Sequence, residues 1–261
     1  MNFEGKVVIV TGGGGGIGAG VAEAFSQRGA VVWITDVDME LAEQTAAAMP
    51  GTHAAALDVS DFMQVEALVA DVEKTSGQID ILINNAGIDN RQMVEDLPVE
   101  QWRQLLDINL TGVFICSKAV LPYMKKRRYG KIVNVASIAA KRISYTGSAA
   151  YTATKEGILG FTRHLAYELA HYGINVNAIC PGPTMTPLLE QTLTPENRKS
   201  HAAKIPVGRL LSPEDQAGAV LFLCSDEASM ICGAALDVDG GALLGWMNRD
   251  EYETIRTAYR K

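Results

Sequence analysis

The stretch Thr11-Gly-Gly-Gly-Gly-Gly-Ile-Gly18 decides the fold of this chain. It follows the apolar run Lys6–Val10, which predicts a buried strand, and it opens the helical pattern Gly16–Arg28. Glycines at such a junction allow a tight turn, close packing of helix on strand, and approach of a pyrophosphate to the helix N-terminus. A glycine-rich loop alone can also be a flexible turn, so its position between the first strand and the first helix is what indicates dinucleotide binding.

Outward from this stretch, apolar runs alternate with helical patterns along the whole chain, which predicts βαβ units and a parallel sheet with helices on both faces. The predicted strands are Lys6–Val10, Val31–Thr35, Thr52–Leu57, Ile79–Asn84, Lys131–Ala136, Ile174–Ile179 and Ala234–Val238. The predicted helices are Gly16–Arg28, Met39–Met49, Phe62–Ser76, Val99–Lys126, Ala149–Tyr172 and Pro213–Ser225. Because no linker, repeat or low-complexity tract interrupts them, we expect one α/β domain over residues 1–261.

Two segments depart from this alternation. Residues 184–205 interrupt it just before the turn Pro206-Val-Gly208, where a mobile lid or a substrate-binding insert would lie. The polar tail 246–261 has a helical pattern and begins with the apolar pair Trp246-Met247. It could cap the pocket or pack on a neighbouring subunit.

Composition and charge exclude several classes of protein. The chain has 261 residues, 48% of them hydrophobic and 20% charged, as expected of a globular enzyme. A net charge of −7 leaves no basic footprint, so we expect no nucleic-acid partner. No apolar stretch predicts a membrane span, and the N-terminus enters a strand without a signal-peptide pattern. We therefore expect a cytoplasmic protein.

The four cysteines lack the spacing of a metal or redox site. Cys116, Cys180, Cys224 and Cys232 lie in apolar contexts and form no CxxC motif. They are expected to be reduced core residues, and no metal is expected.

Polar residues at the ends of predicted strands indicate a ligand site, because open α/β sheets bind ligands at the carboxyl ends of their strands. Asp36 ends the second strand, where a carboxylate can accept hydrogen bonds from ribose hydroxyls and repel a 2′-phosphate, which favours NAD over NADP. Asp58-Val59 ends the third strand, and Asp58 can meet an adenine amino group. Asn84-Asn-Ala-Gly87 ends the fourth, and its small Ala86-Gly87 pair lets the backbone approach a cofactor. Each could also be ordinary turn chemistry.

Tyr151 and Lys155 lie four residues apart in a predicted helix and hence on one face of it. An ammonium beside a phenol stabilises the phenolate and lowers its pKa, which can make the pair an acid/base catalyst. Taken alone, the pair could equally be surface residues. Ser137, at the end of the fifth strand, could hydrogen-bond a substrate oxygen or cap the next turn.

Taken together, these motifs resemble the short-chain dehydrogenase/reductase family over essentially the whole chain. The resemblance rests on TGGGGGIG (11–18), Asp36, Asp58-Val59, NNAG (84–87), Asn109, Ser137, Tyr151, Lys155 and PGPTMT (181–186). It implies a Rossmann-like doubly wound parallel sheet of about seven strands, an NAD cofactor, interconversion of a secondary alcohol and a ketone, and usually a homotetramer. In that family the last strand and its glycine turn, here residues 236–241, help to build a subunit interface.

The resemblance also assigns roles to single residues. Tyr151 would be the acid/base, Lys155 would bind the nicotinamide ribose and lower the pKa of Tyr151, and Ser137 would orient the substrate and stabilise its oxygen. Asn109 would hold a water that links Lys155 to solvent. The implied cofactor contacts are Gly12, Gly16, Ile17, Gly18, Asp36, Asp58, Val59, Asn85, Ala86, Gly87, Tyr151, Lys155, Pro181, Gly182, Thr184 and Thr186.

The loop between Ser137 and Tyr151 departs from the family pattern. The two residues are 14 positions apart, one more than the resemblance predicts, so residues 138–148 are expected to form a longer loop, with the extra residue near Lys141-Arg142.

Three cations are predicted near the substrate pocket. A pocket lined by 88–93, 138–145 and 183–205 would contain the cations Arg91, Lys141 and Arg142. They could recognise a carboxylate, a sulfonate or phosphates, or they could be solvated loop charges. The run GGGGGIG with CPGPTMT (180–186) resembles alicyclic hydroxyacyl-CoA dehydrogenases, and sugar dehydrogenases, 3-oxoacyl-carrier-protein reductases and hydroxysteroid dehydrogenases have similar motifs. A cyclic or anionic hydroxy compound is therefore expected.

A second class of function remains open. A non-catalytic NAD-binding regulator could use the same scaffold, since fold does not guarantee chemistry. The complete set of Asn109, Ser137, Tyr151 and Lys155 argues against it, because a sensor needs no acid/base pair.

Overall fold

The computed structural model describes residues 1–186, 189–190, 194–245 and 247–259, and only the main chain of Pro195. The predicted insert and tail are thus described in part. Residues 187–188 and 191–193 of the insert, and Trp246 and residues 260–261 of the tail, lie outside the described residues.

Seven strands form one entirely parallel sheet in the order β3-β2-β1-β4-β5-β6-β7. They are β1 Val7–Thr11, β2 Val31–Asp36, β3 Thr52–Ala56, β4 Ile81–Asn84, β5 Gly130–Val135, β6 Ile174–Pro181 and β7 Ala235–Val238. The order reverses between β1 and β4, which opens a crevice at the carboxyl ends of these two strands. The predicted doubly wound parallel sheet is confirmed.

The helices described are α1 Gly16–Ser26, α2 Met39–Ala47, α3 Phe62–Ser76, α4 Val99–Leu106, α5 Gly112–Arg127, α6 Ala149–Leu169, α7 Pro195–Ala203, α8 Pro213–Cys224 and α9 Arg249–Ala258. Polar residues begin several of them: Asp38, Asp61, Ser148 and Ser212 each accept a hydrogen bond from the first turn. These caps fix where each helix starts relative to the strand before it.

The two faces of the sheet carry separate cores. Val7 and Ile9 of β1 pack with α3, α5 and α6, whereas Val8 and Val10 pack with α1 and α8. Successive side chains of a strand point to opposite faces, so both sets are buried only when helices cover both sides. This explains why the central strands are unbroken apolar runs.

The predicted helix Val99–Lys126 is interrupted. A five-residue π-helical turn, Asp107–Thr111, separates α4 from α5, and Asn109 lies at its centre. By length and apolar composition, the combined run Val99–Arg127 would be able to cross a membrane. However, 44% of its most apolar window is buried within the protein, as in a helix that packs against a sheet.

The two departures from alternation have different structures. The insert contains α7 and is closed at its base, where Leu211 N donates to Pro183 O (3.0 Å) and Met185 N donates to Leu211 O (2.7 Å). The tail forms α9, none of whose residues is buried. The helix of the tail is therefore exposed to solvent along its whole length.

The expectation of four core cysteines is wrong for one of them. Cys116, Cys180 and Cys224 are buried free thiols, but Cys232 is exposed. It lies between the 3₁₀ turn Asp226–Ala228 and β7, where the chain crosses the surface. Among the described residues, no group of three or more His, Cys, Asp or Glu side chains could hold a metal ion.

Candidate active site

The residues predicted to bind a cofactor meet at the carboxyl edge of the sheet, around the crevice between β1 and β4. The glycine loop follows β1 directly, and Gly12 and Gly16 have φ angles of 60° and 55°, which favour glycine. A Cβ on Gly18 would overlap the carbonyl oxygen of Gly12, and a Cβ on Gly12 would lie 2.7 Å from Ala86 Cα. The loop therefore requires glycine at both positions.

The segment after β4 is fastened to the glycine loop by side-chain hydrogen bonds. Asn85 Nδ2 donates to the carbonyl oxygens of Thr11 (3.1 Å) and Gly12 (2.8 Å). Thr11 Oγ1 accepts from the backbone N–H groups of Asn85 (3.0 Å) and Ala86 (3.1 Å). The two loops of the crevice are thus held in one fixed relation.

Asp36 lies against the glycine loop at the end of β2. Its Oδ2 accepts from Gly14 N (3.1 Å), and its Oδ1 accepts from Asp38 N (3.2 Å). A Cβ on Gly14 would lie 3.0 Å from Asp36 Oδ2, so this glycine lets the carboxylate approach the loop.

The residues after β3 show more ordinary turn chemistry. Asp58 Oδ1 accepts from Ser60 N (2.9 Å) and Ser60 Oγ (2.6 Å), as an aspartate in a turn does. Val59 is buried, and a Cβ on Gly112 at the start of α5 would lie 2.8 Å from Val59 Cγ2. The side chain of Val59 therefore belongs to the core, and only its main chain can face a ligand.

The segment after β6 returns to the glycine loop. A Cβ on Gly16 would lie 3.1 Å from Thr186 Cγ2, and one on Gly182 would lie 2.7 Å from Asp239 Cα. Thr184 Oγ1 donates to Gly182 O (2.9 Å) and accepts from Gln216 Nε2 (3.1 Å). Gln216 is fully buried on α8, and no sequence motif identified it.

Lys155 lies within van der Waals reach of the segment after β4. It is 4% exposed, its Nζ donates to Val135 O (2.9 Å), and a Cβ on Gly87 would lie 3.5 Å from that Nζ. Burial lowers the pKa of Lys155 to about 8, although the charge of Asp89 and the Cys180 thiol act in the opposite direction. Glycine at position 87 thus leaves room beside this buried amine.

Tyr151 lies beside this amine, with Lys155 Nζ 5.4 Å from the centre of its ring. The sequence predicts a lowered pKa for Tyr151, but burial raises it to about 12, a hydrogen bond with Ser137 lowers it, and the charge of Asp89 raises it. Burial outweighs the hydrogen bond with Ser137 because desolvation opposes the charged phenolate directly. Ser137 also accepts from Ala139 N (3.0 Å), so it caps the 3₁₀ turn Ile138–Ala140 as well.

Asn109 is fully buried and braces the segment after β4. Its Oδ1 accepts from Ile88 N (2.8 Å), and its Nδ2 donates to Ile88 O (2.8 Å) and Thr154 Oγ1 (3.3 Å). Both the oxygen and the nitrogen of the Asn109 carboxamide are therefore hydrogen-bonded to other groups of the protein.

Lys141 and Arg142, which are predicted near the pocket, contact groups elsewhere in the chain. Lys141 pairs with Asp237 of β7 and donates to Ala235 O (3.3 Å). Arg142 donates to Ala242 O (3.0 Å) and lies over the ring of Tyr145. Both tie the loop after β5 to the region around β7, so neither is the solvated loop charge of the alternative prediction, and their role as anion ligands stays a prediction.

Comparisons with known proteins agree with this geometry. Residues 12–242 match the family model described as enoyl-(acyl carrier protein) reductase. The chain is 38% identical to a 3-oxoacyl-[acyl-carrier-protein] reductase of Thermotoga maritima, over 94% of this chain and all of the relative. It is 39% identical to a 2-dehydro-3-deoxy-L-rhamnonate dehydrogenase (NAD(+)) of Sphingomonas sp., over 92% of this chain and 96% of that one.

Among solved structures, the crystal structure of gox2181 superposes with a TM-score of 0.90 at 33% identity, covering 94% of this chain and 98% of that one. The matched region contains the glycine loop, the segment after β4, Ser137, and the Tyr151/Lys155 pair. The chain belongs to the short-chain dehydrogenase/reductase family of oxidoreductases, which interconvert secondary alcohols and ketones.

Proposed function

We propose that this protein is an NAD-dependent dehydrogenase of a secondary alcohol, with Tyr151 as acid/base and Lys155, Ser137 and Asn109 in support. One observation carries the proposal: Tyr151 contacts Ser137 on one side and lies beside buried Lys155 on the other, next to Gly87. An acid, an oxygen-binding hydroxyl and a cation are thereby gathered where the crevice of the sheet opens.

The residues of the crevice fit a dinucleotide. Gly12 and Gly18 have no side chain that would cover the backbone of the loop, and the N-terminus of α1 lies within the same loop, at Gly16. Gly12, Gly16, Ile17 and Gly18 would hold the pyrophosphate; Asp58, Val59, Asn85, Ala86 and Gly87 would line the crevice; Pro181, Gly182, Thr184 and Thr186 would close its far side. A bound nicotinamide would accept or supply the hydride.

The choice of NAD rests on Asp36. Its carboxylate stands at the end of β2 against Gly14, where ribose hydroxyls can donate to it and a 2′-phosphate would meet like charge. The name of the Sphingomonas relative, which includes NAD(+), supports the same choice.

The protein's part in the reaction is proton transfer and positioning. In reduction, Tyr151 donates its proton to the developing alkoxide while Ser137 hydrogen-bonds the same oxygen. A pKa of about 12 keeps Tyr151 protonated for this step at neutral pH. In oxidation, Tyr151 takes the alcohol proton, and positive charge near its ring favours that step. Lys155 would bind the nicotinamide ribose.

The substrate we propose is a hydroxy compound of the cyclic or anionic kinds, that is, a hydroxyacyl-CoA, a sugar or a hydroxy acid. Reduction of a 3-oxoacyl thioester is the second candidate, because the Thermotoga relative is named for that reaction. A non-catalytic NAD-binding regulator is the remaining alternative. We further propose one catalytic domain over residues 1–261 with a lid in 184–205, a homotetramer and a cytoplasmic location.

The deciding experiment follows NADH absorbance with a panel of secondary alcohols, sugars and hydroxyacyl thioesters. Tyr151→Phe should lower kcat on the best substrate by roughly 10²–10⁴-fold and leave NAD binding intact. Tyr167→Phe on the exposed side of α6 is the matched control and should behave as wild type. Substantial turnover by Tyr151→Phe would contradict the mechanism, and no turnover by wild type on the whole panel would favour the regulator.

A further inference from the structure

Asp89 connects the segment after β4 to the helix that carries Tyr151. Its Oδ1 accepts two hydrogen bonds from Ser148, one from the backbone N–H (3.2 Å) and one from Oγ (3.3 Å). Ser148 is 3% exposed and caps α6, since its Oγ accepts from Tyr151 N (3.2 Å). The carboxylate thus reaches the backbone N–H of Tyr151 through one intervening side chain.

A second path of hydrogen bonds joins Ile88, the residue before Asp89, to the backbone carbonyl of Tyr151. Asn109 holds the main chain of Ile88 and donates to Thr154 Oγ1 (3.3 Å), which in turn donates to Tyr151 O (2.8 Å). Both relays end on the dipeptide Ile88–Asp89, directly after Gly87. The main chain of Tyr151 is therefore held from two sides by the loop that would contact the nicotinamide.

Asp89 also stands within electrostatic reach of the acid/base pair. Its charge raises the pKa of Tyr151 and the pKa of Lys155. Desolvation raises the pKa of Asp89 itself, whereas hydrogen bonds from Ser148 and Asn90 and the charge of Arg91 lower it. A hydrogen bond with Ser137 lowers the pKa of Tyr151, and Cys180 of β6 raises the pKa of Lys155.

We propose that Asp89 is a positioning residue, which fixes the first turn of α6 through Ser148 and thereby sets where Tyr151 stands relative to the loop after β4. The inference rests on the proposed function of Tyr151 as acid/base. It assigns to Asp89 more than helix capping, because Ser148 already supplies the acceptor for Tyr151 N. A shift of residues 86–89 when a dinucleotide binds would pass to Tyr151 along both relays.

Three variants test the proposal. Asp89→Asn keeps an acceptor for Ser148 and removes the charge, Asp89→Ala removes both, and Asp96→Asn is the matched control. Asp96 is exposed in the same segment, in the 3₁₀ turn Val94–Asp96. All three are measured for kcat, for KM with NAD and with alcohol, and for the pH dependence of alcohol oxidation.

Removing the charge of Asp89 should shift the pH dependence of kcat in one direction, to lower pH. Removing a negative charge favours phenolate over phenol at Tyr151 and neutral amine over ammonium at Lys155, so both pKa values fall. For Asp89→Asn, we expect the rising limb of the kcat–pH profile to move to lower pH by on the order of half a unit. For Asp89→Ala, we expect an additional fall in kcat on the order of tenfold, with KM for NAD changed less than about twofold.

The relay itself is tested by Ser148→Ala alone and combined with Asp89→Ala. If Asp89 acts through Ser148, the double variant loses little more kcat than the worse single variant, whereas fully additive losses would contradict the relay. The proposal is overturned if Asp89→Asn and Asp89→Ala keep the wild-type kcat and a superposable pH profile.

A readout without turnover separates this inference from the proposed function. In hydrogen-exchange mass spectrometry, Asp89→Ala should speed exchange of the peptide that covers residues 148–155 relative to Asp96→Asn. Unchanged exchange would overturn the positioning role even in an active enzyme. Faster exchange with no alcohol turnover by wild type would support the link to α6 and reject the dehydrogenase.

Discussion

The carboxamide of Asn109 binds both backbone polar groups of Ile88, each at 2.8 Å. A side chain from the π-helical turn thereby completes the main-chain hydrogen bonds of the loop that borders Lys155. In this structure Asn109 acts as a brace between elements. The water link to solvent that the family resemblance implies for it remains a prediction.

Asn109→Leu should therefore damage stability and activity together. It leaves the N–H and C=O of Ile88 without their partner, at a cost of roughly 1–3 kcal/mol in the free energy of unfolding. Urea unfolding and kcat measured on the same preparation check this. Loss of kcat without loss of stability would instead favour a role confined to proton transfer.

The glycine loop offers a matched pair of substitutions. In Gly18→Ala the new methyl would overlap Gly12 O, whereas in Gly15→Ala the nearest atom, Leu41 Cδ2, would be 4.0 Å away. Gly15 also has an extended backbone, with φ −164°. We expect Gly18→Ala to weaken NAD binding at least tenfold, or about 1.4 kcal/mol, and Gly15→Ala to bind as wild type. Fluorescence titration measures both, and equal effects would remove the argument from close packing.

Asp36→Ala should shift the cofactor preference. It removes a charged acceptor for ribose hydroxyls, worth roughly 1.5–3 kcal/mol, and it removes the repulsion of a 2′-phosphate. We expect the ratio of kcat/KM for NAD and NADP to fall by on the order of tenfold or more. Asp38→Ala is the control: it loses the cap of α2, so it should be less stable by about 1 kcal/mol with an unchanged ratio.

Lys155 should make stability depend on pH in a defined direction. Its pKa is lowered from 10.5 to about 8 by burial, so folded and unfolded chains both hold the proton below pH 8. Between pH 8 and 10.5 only the unfolded chain keeps it, so the contribution of Lys155 to stability rises with pH through that window. The variant Lys155→Met lacks this pH-dependent contribution to stability. The free energy of unfolding of Lys155→Met should therefore fall relative to that of wild type by roughly 3 kcal/mol between pH 8 and 10.5, at about 1.4 kcal/mol per pKa unit.

Thermal unfolding of wild type and Lys155→Met at matched pH values measures this difference directly. Groups common to both proteins cancel, and Tyr151, whose pKa is raised from 10 to about 12, contributes only above pH 10. A difference that stays constant from pH 7 to 10.5 would contradict a pKa near 8 for Lys155.

The sequence predicted the central strands closely because strands buried on both faces leave a continuous apolar run. β2, predicted at Val31–Thr35, ends one residue later at Asp36. The spacing of Tyr151 and Lys155 likewise predicted that their side chains are neighbours. It could not predict their burial, which depends on distant elements and reverses the expected shift in the pKa of Tyr151.

Three features of the site left no local pattern in the sequence that would have predicted them. The π-helical turn does not interrupt the helical spacing of apolar residues, so the sequence predicts one continuous helix there. The contact of Asp89 with Ser148 joins residues 59 positions apart, and nothing beside Asp89 in the sequence indicates its partner. The hydrogen bond from Gln216 to Thr184 likewise joins residues far apart in the sequence, because α8 packs beside the end of β6.

The π-helical turn Asp107–Thr111 amounts to one extra residue between α4 and α5. Each residue rotates an α-helix by about 100°, so deleting one residue here would restore a regular helix. The deletion would also turn the faces of α4 and α5 against each other by that angle. Asn109 could not then face Ile88 while α5 kept its core. The number of residues in this helix is therefore as much a part of the active site as their identity.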